Sequence, residues 1–220
     1  MDHLTFANLI FTHHGNMMLL SCQIVFGVEF HHLHVNNVTG GSIFAKIFKA
    51  SSPIPAKFLI SNLETSLVNS ESGSFLELKD GVELEIYDSI IQTITSYSKG
   101  SVISINGKGT TVRIYNSQIN NNTAEQGGVF NINSNSVIQL YNTSVSYNFA
   151  IQGGVISTSA GGHFEFYESR ILNNYAISIP VGLIFDTTNV SQLNNCLIRE
   201  NIAMTKSDFL KEININCALL

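Results

Sequence analysis

Two groups of carboxylates have spacings that suggest chemistry. Glu83 and Glu85 lie two residues apart with Asp88 just beyond, and Glu165 and Glu168 flank Phe166-Tyr167. On an extended strand, residues two apart share a face. Paired carboxylates at a suitable separation carry out glycoside hydrolysis. The competing reading is a solvated strand face that needs no substrate. Histidines form a second candidate: His13, His14, His31, His32 and His34 crowd into the first part of the chain. The spacing predicts that His32 and His34 share a strand face, which suits zinc. No cysteine or acidic pattern completes a ligand set, so the reading is structural, with no metal and no cofactor. The three cysteines, Cys22, Cys196 and Cys217, are odd in number and irregularly spaced. They argue against a disulfide framework and for small packed thiols.

A third group is aromatic. Tyr115, Tyr141 and Tyr167 recur at intervals of 26 residues. If the chain stacks with that period, they form an exposed stripe with rings about 5 Å apart. The stripe has two readings: a binding surface for carbohydrate or protein, or a ring stack that merely stabilises its neighbours.

Positioning such groups requires a repeat, and the repeat is explicit. Ile114-Tyr115-Asn116-Ser117-Gln118-Ile119, Leu140-Tyr141-Asn142-Thr143-Ser144-Val145 and Phe166-Tyr167-Glu168-Ser169-Arg170-Ile171 align at 26 residues. Leu193-Asn194-Asn195-Cys196-Leu197-Ile198 follows after 27, with Cys196 in the place of Ser117, Thr143 and Ser169. Each copy continues into Asn122-Thr123-Ala124, Asn148-Phe149-Ala150, Asn174-Tyr175-Ala176 or Asn201-Ile202-Ala203. Two copies then run through Gly127-Gly128-Val129-Phe130 and Gly153-Gly154-Val155-Ile156. The clear repeats cover residues 84–206. Weaker copies upstream include Ile86-Tyr87-Asp88-Ser89, Phe58-Leu59-Ile60 and Leu33-His34-Val35. One domain over 1–220 results, with degenerate coils in 1–83 and a partial coil or cap in 207–220.

Within a copy the apolar period is two, as in Ile138 and Leu140 against Gln139 and Tyr141, or Phe130 and Ile132 against Val129 and Asn131. The segments are short, rich in β-branched residues and bounded by Asn, Ser and Gly. A coil of such strands cannot bury its own interior, but stacked coils can. The sequence therefore predicts an all-β, single-stranded parallel β-helix of about eight coils. Ile114, Leu140, Phe166 and Leu193 form one inward column, and Ile119, Val145, Ile171 and Ile198 a second. Asn122, Asn148, Asn174 and Asn201 form a polar ladder at a bend, where Asn tolerates left-handed backbone. Gly128 and Gly154 are expected to hold a conformation closed to residues with a Cβ. Ser207 to Ile213 reads as a short helix or another coil, and Leu4 to Leu20 as a degenerate first coil.

Composition limits the rest. Only 12% of residues are charged, against a usual ~25%, and 24 Asn help to supply the polar surface instead. A net charge of -5 offers no basic face for phosphates, so no nucleic-acid partner is expected. No apolar run is long enough to span a membrane, and Met1-Asp2-His3 does not open a signal peptide. Four N-x-S/T sequons, at Asn37, Asn121, Asn142 and Asn189, are glycan acceptors only on a eukaryotic secretory route. Asn142, at a strand end, is expected to be exposed.

The GGxΦ motifs at Gly127–Phe130 and Gly153–Ile156 resemble the glycine-pair motif of polymorphic outer membrane protein repeats. The ΦxxN motifs at Ile119–Asn122, Val145–Asn148 and Ile171–Asn174 resemble their companion, with Ile or Val where that family typically has Phe. More widely the chain resembles pectin-lyase-like right-handed β-helices. The resemblance implies right-handed coiling and a non-enzymatic, adhesin-like module of a larger cell-surface or secreted protein. Its partners would be carbohydrate, protein or further coils of a longer parent chain. It also raises an alternative, a polysaccharide lyase or glycoside hydrolase. The polygalacturonase-like members use clustered aspartates, but the five here, Asp2, Asp80, Asp88, Asp186 and Asp208, are scattered. His163 follows Gly161-Gly162 without the flanking glycine on its far side. The pectate-lyase-like members need an acidic calcium cluster beside an arginine base, and no such cluster accompanies Arg113 or Arg170. No catalytic residue is assigned.

Overall fold

The computed structural model describes residues 3–12, 20–24, 27–40, 45–49, 56–70, 73–177, 184–185, 191–203 and 214–219. The described residues contain strands and no helix, and the strands among them pair in parallel. They form a right-handed β-solenoid. One column of strands runs from His3–Thr12 through Gly27–Gly40, Ala56–Ser70, Val82–Tyr87, Thr111–Tyr115, Val137–Tyr141, His163–Tyr167 and Gln192–Arg199 to Asn214–Leu219. Six turns separate Gly27–Gly40 from Gln192–Arg199, a rise of roughly 29 Å at ~4.8 Å per rung. A second sheet stacks Leu20–Ile24, Ala45–Lys49, Leu76–Leu78, Ile103–Ile105, Phe130–Ile132, Ile156–Thr158 and Ile184–Phe185. The possible helix at Ser207–Ile213 lies outside the described residues.

The registers follow the repeat. Ile114 pairs with Leu140, Leu140 with Phe166 and Phe166 with Leu193. Ile119, Val145, Ile171 and Ile198 pair likewise. Both columns are buried and belong to one continuous core. The degenerate upstream coils keep this order: His3–Thr12 pairs in parallel with Gly27–Gly40, and Phe6 stacks on Phe30 at 5.0 Å. Ala56–Ser70 is a single long strand that spans three downstream strands, Val82–Tyr87, Ile90–Gln92 and Ile94–Ser96.

Each coil turns at left-handed residues, and these also stack. One corner column contains His32, Asn62, Asp88, Asn116, Asn142, Glu168 and Asn195, and another contains Asn37, Leu67, Thr93, Asn121, Tyr147, Asn173 and Glu200. A single residue in this region redirects the strand without breaking the parallel register.

Three expectations are corrected here. The asparagine ladder does not occupy the left-handed positions. The residue before each rung does, at Asn121, Tyr147, Asn173 and Glu200, and this turns the Asn side chain inward. The glycine pair divides its tasks in a similar way. Gly127 and Gly153 hold the positive φ, 59° in each case. Gly128 is required by close approach instead, because a Cβ there would collide with the Gly154 carbonyl oxygen of the next coil. Lastly, alternation fails around Phe130–Ile132. Val129 and Asn131 are buried along with Phe130 and Ile132. The chain turns between Gly127 and Val129, so Val129 enters the core beside Phe130, and the glycine-bearing turn covers Asn131. A Cβ on Gly100 would lie within contact of the Asn131 backbone and side chain.

Candidate functional site

Two inward ladders hold the corners. At the first, the Ser89 amide N–H donates to Ser117 Oγ (3.1 Å), that of Ser117 to Thr143 Oγ1 (3.4 Å) and that of Thr143 to Ser169 Oγ (3.2 Å). Cys196 ends this series, buried, with its Sγ 3.4 Å from the Phe166 carbonyl. The place of the thiol in the series matches its packing role. At the second corner, Asn122 Nδ2 donates to Asn148 Oδ1 (3.0 Å), Asn148 to Asn174 (2.9 Å) and Asn174 to Asn201 (2.9 Å). The backbone N–H of each of these donors bonds the same acceptor oxygen. Buried amides are thus satisfied in a line along the rod.

These corners fix the outward face of the first strand column, where the site candidates lie. Tyr87, Tyr115, Tyr141 and Tyr167 stack with ring centroids 4.7, 4.8 and 5.0 Å apart and interplanar angles of 7°, 11° and 7°. The stripe read from the 26-residue spacing is present and gains a fourth ring. Tyr87 is signalled in sequence by Ile86-Tyr87-Asp88-Ser89, although its spacing to Tyr115 is 28 rather than 26. All four rings are half-buried.

Beside the rings, two residues earlier on each strand, runs a ladder that the sequence reading missed. Arg113 Nη1 lies 3.5 Å from Glu85 Oε1, Arg113 Nε donates to Gln139 Oε1 (3.1 Å), and Gln139 Nε2 donates to Glu165 Oε2 (2.7 Å). The rings and the ladder are tied at both ends. The Tyr87 hydroxyl donates to Glu85 Oε2 (2.9 Å) and the Tyr167 hydroxyl to Glu165 Oε2 (3.0 Å). Burial, then the bonded carboxylate, pushes the Tyr87 phenol up to about 12. Burial also raises the phenols of Tyr115 and Tyr167, each reinforced by its neighbouring glutamate. His163 lies 3.8 Å from Glu165 Oε1.

The carboxylate pairs resolve differently. Glu83 and Glu85 share the outward face, but Glu85 is engaged by Arg113 and Tyr87. Glu165 and Glu168 do not share a face, because Glu168 occupies a left-handed corner at φ 52°. Glu85 and Glu165 are three rungs apart, roughly 14 Å, which exceeds the ~6.5–9.5 Å that lets two carboxylates work on one glycosidic bond. Arg113 and Arg170 lie on different strands of their coils, and the structure does not bring them together.

The expectation for the histidines is also corrected. His32 lies at a left-handed corner, φ 53°, so it does not share a strand face with His34. His31 Nδ1 lies 2.6 Å from Ser61 Oγ, and His34 Nδ1 lies 3.0 Å from Glu64 Oε2. Among the described residues no group of three His, Cys, Asp or Glu could hold a metal ion. His13 and His14 lie outside them, as do Asn189 and the side chains of Cys22 and Cys217. Asn142 is exposed as expected, with Nδ2 donating to Asn116 Oδ1 (3.0 Å).

Concavity is slight. A polar recess of about 240 Å³ runs past Asn116, Asn142, Glu168 and Arg170, one of about 280 Å³ lies by Ile10, His34 and Glu64, and a smaller one of about 100 Å³ lies by Lys57, Glu83 and Glu85. All three fall short of the ~300–1,000 Å³ of enclosed small-molecule sites. The face suits an extended ligand lying along the rod. No helix among the described residues is long and apolar enough to cross a membrane. No protein-family model, no curated protein and no solved structure matches this chain.

Proposed function

We propose that this chain is a non-enzymatic β-helix module of a larger surface or secreted protein, of the kind built from polymorphic outer membrane protein-type repeats. It binds carbohydrate along the outward face of its first strand column. One observation carries the reading: four stacked tyrosines lie beside a continuous ladder of hydrogen-bonding groups, on a face without a deep pocket. Aromatic rings flanked by fixed polar groups are what an extended, hydroxyl-rich chain requires.

The test is a carbohydrate array probed with the full chain and with a variant carrying leucine at Tyr87, Tyr115, Tyr141 and Tyr167. Binding by the native chain and its loss in the variant are expected. Binding that survives all four replacements dismisses the stripe as the site. Turnover of uronic or neutral polymers by the native chain would replace the reading with an enzymatic one.

A further inference from the structure

Stacking has a consequence for where a ligand can sit. Within the column each interior ring is covered on both faces at 4.7–5.0 Å. A sugar ring cannot lie on Tyr115 or Tyr141 without breaking the stack, since aromatic contact requires a bare face. Only the two end rings have a face free of tyrosine. Tyr167 is followed in register by Asn194, whose amide donates to Gln192 Oε1 (3.3 Å). Tyr87 is preceded in register by Ser61. Its hydroxymethyl group is far smaller than the rings on either side of it, Tyr87 and His31, and its oxygen is already engaged at 2.6 Å by His31 Nδ1. The row thus lacks one ring at Ser61, next to the last tyrosine.

We infer that the bare face of Tyr87 above Ser61 is the primary sugar subsite of this protein, and that it takes a neutral pyranose, which fills the place of the missing ring. The inference rests on the carbohydrate reading of the tyrosine face. The charge around Tyr87 selects the class. Glu83 and Glu85 lie before it and Asp88 directly after; of the cations, Arg113 is already paired with Glu85 and Lys57 lies beside Glu83 and Glu85, so carboxylates outnumber cations here by three to two. Carboxylates accept hydrogen bonds from sugar hydroxyls and repel the carboxylate of a uronic acid. The neutral hexose hydroxyls would meet Glu85 and Asp88 at the ring edges while the apolar face of the sugar lies on the phenol.

The test uses the full chain and calorimetric titration with cellohexaose, mannohexaose, galactohexaose and hexagalacturonate. Ser61→Tyr extends the stack by one ring and closes the face. It is expected to weaken binding of the neutral hexaose by about tenfold, the scale of one aromatic contact. Asn194→Tyr, at the other end, should leave binding unchanged. Ser61→Leu covers the same face with an aliphatic chain and should act in the same direction if the tyrosine variant folds poorly, as judged by circular dichroism. Unchanged binding in a folded Ser61 variant overturns the inference. If the four-leucine variant has meanwhile lost binding, the stripe reading stands and only the location is wrong. Tighter binding of hexagalacturonate than of any neutral hexaose overturns the neutral-sugar class. A native chain that binds none of the four overturns the carbohydrate reading, and the subsite with it.

Discussion

Every polar atom of the Asn148 amide is engaged. Its Oδ1 accepts from Asn122 Nδ2 and the Asn122 backbone N–H, and its Nδ2 donates to Asn174 Oδ1 and the Ile119 carbonyl. Asn148→Leu keeps the volume but removes the acceptor that the Asn122 backbone N–H and Nδ2 share, and takes the side-chain donor from Asn174 Oδ1 and the Ile119 carbonyl, while the residue-148 backbone N–H still reaches Asn174 Oδ1. A loss of about 3 kcal/mol is expected from urea unfolding, since each buried unsatisfied group costs ~1–3 kcal/mol. A loss below ~1 kcal/mol would show that the ladder rearranges. Tyr87 gives a pH signature. Its phenol pKa is raised in the folded state, to about 12 from 10.0. The associated stabilisation is therefore complete below the ordinary phenol pKa and is lost as pH rises through the folded value. Ultraviolet titration should find the Tyr87 phenol ionising well above the ordinary tyrosine value, and Glu85→Gln should bring it down. The sequence showed the ladder positions because Asn recurs there. It did not show which member of Asn121-Asn122 is left-handed, since both are asparagine. Upstream, the ladder was hidden because Val38, Val68 and Ile94 occupy its place in register with Asn122.

At the scale of the element, two glycines separate two causes of the same residue preference. Gly109 holds φ +66° with nothing within 4 Å of where a Cβ would sit. Gly128 has an ordinary φ, but the Gly154 and Phe149 carbonyl oxygens occupy the space of a Cβ. Gly109→Ala is expected to cost only the left-handed penalty, about 1 kcal/mol. Gly128→Ala must push two coils apart along a shared hydrogen-bonded rung, and a cost of about 3 kcal/mol or more is expected. Equal thermal shifts for the two would refute the close approach. The GGxΦ spacing was legible as a turn signal. The division of labour within it was not, because conformation and proximity both ask for glycine. The Glu85–Arg113–Gln139–Glu165 ladder was missed for the opposite reason: its members share a position two before each tyrosine, but the residue type changes from rung to rung, from Glu to Arg to Gln and back to Glu.

For the whole molecule, the stack makes one coil interchangeable with the next. Thr110 and Ser136 occupy equivalent places, with the Val137 N–H donating to the Thr110 carbonyl and the Thr110 N–H to Ser136 Oγ. Deleting residues 111–136 therefore joins Thr110 to Val137 and removes one period. Val137–Tyr141 would then lie on Val82–Tyr87, with Tyr141 on Tyr87, Thr143 on Ser89, Val145 on Ile91 and Gly153 over Gly100. In a solenoid each coil meets only its neighbours, so stability is close to a sum of coil and interface contributions. The shortened chain should keep its β-sheet circular dichroism and unfold at a somewhat lower temperature. Deleting half a period, residues 111–123, places every downstream residue against the wrong neighbour and shifts apolar columns toward solvent. That chain should not fold. If both deletions fold equally well, the coils are not held by residue-on-residue registration. If neither folds, stability is not shared evenly along the rod but depends on the particular aromatic and amide rungs that residues 111–136 carry.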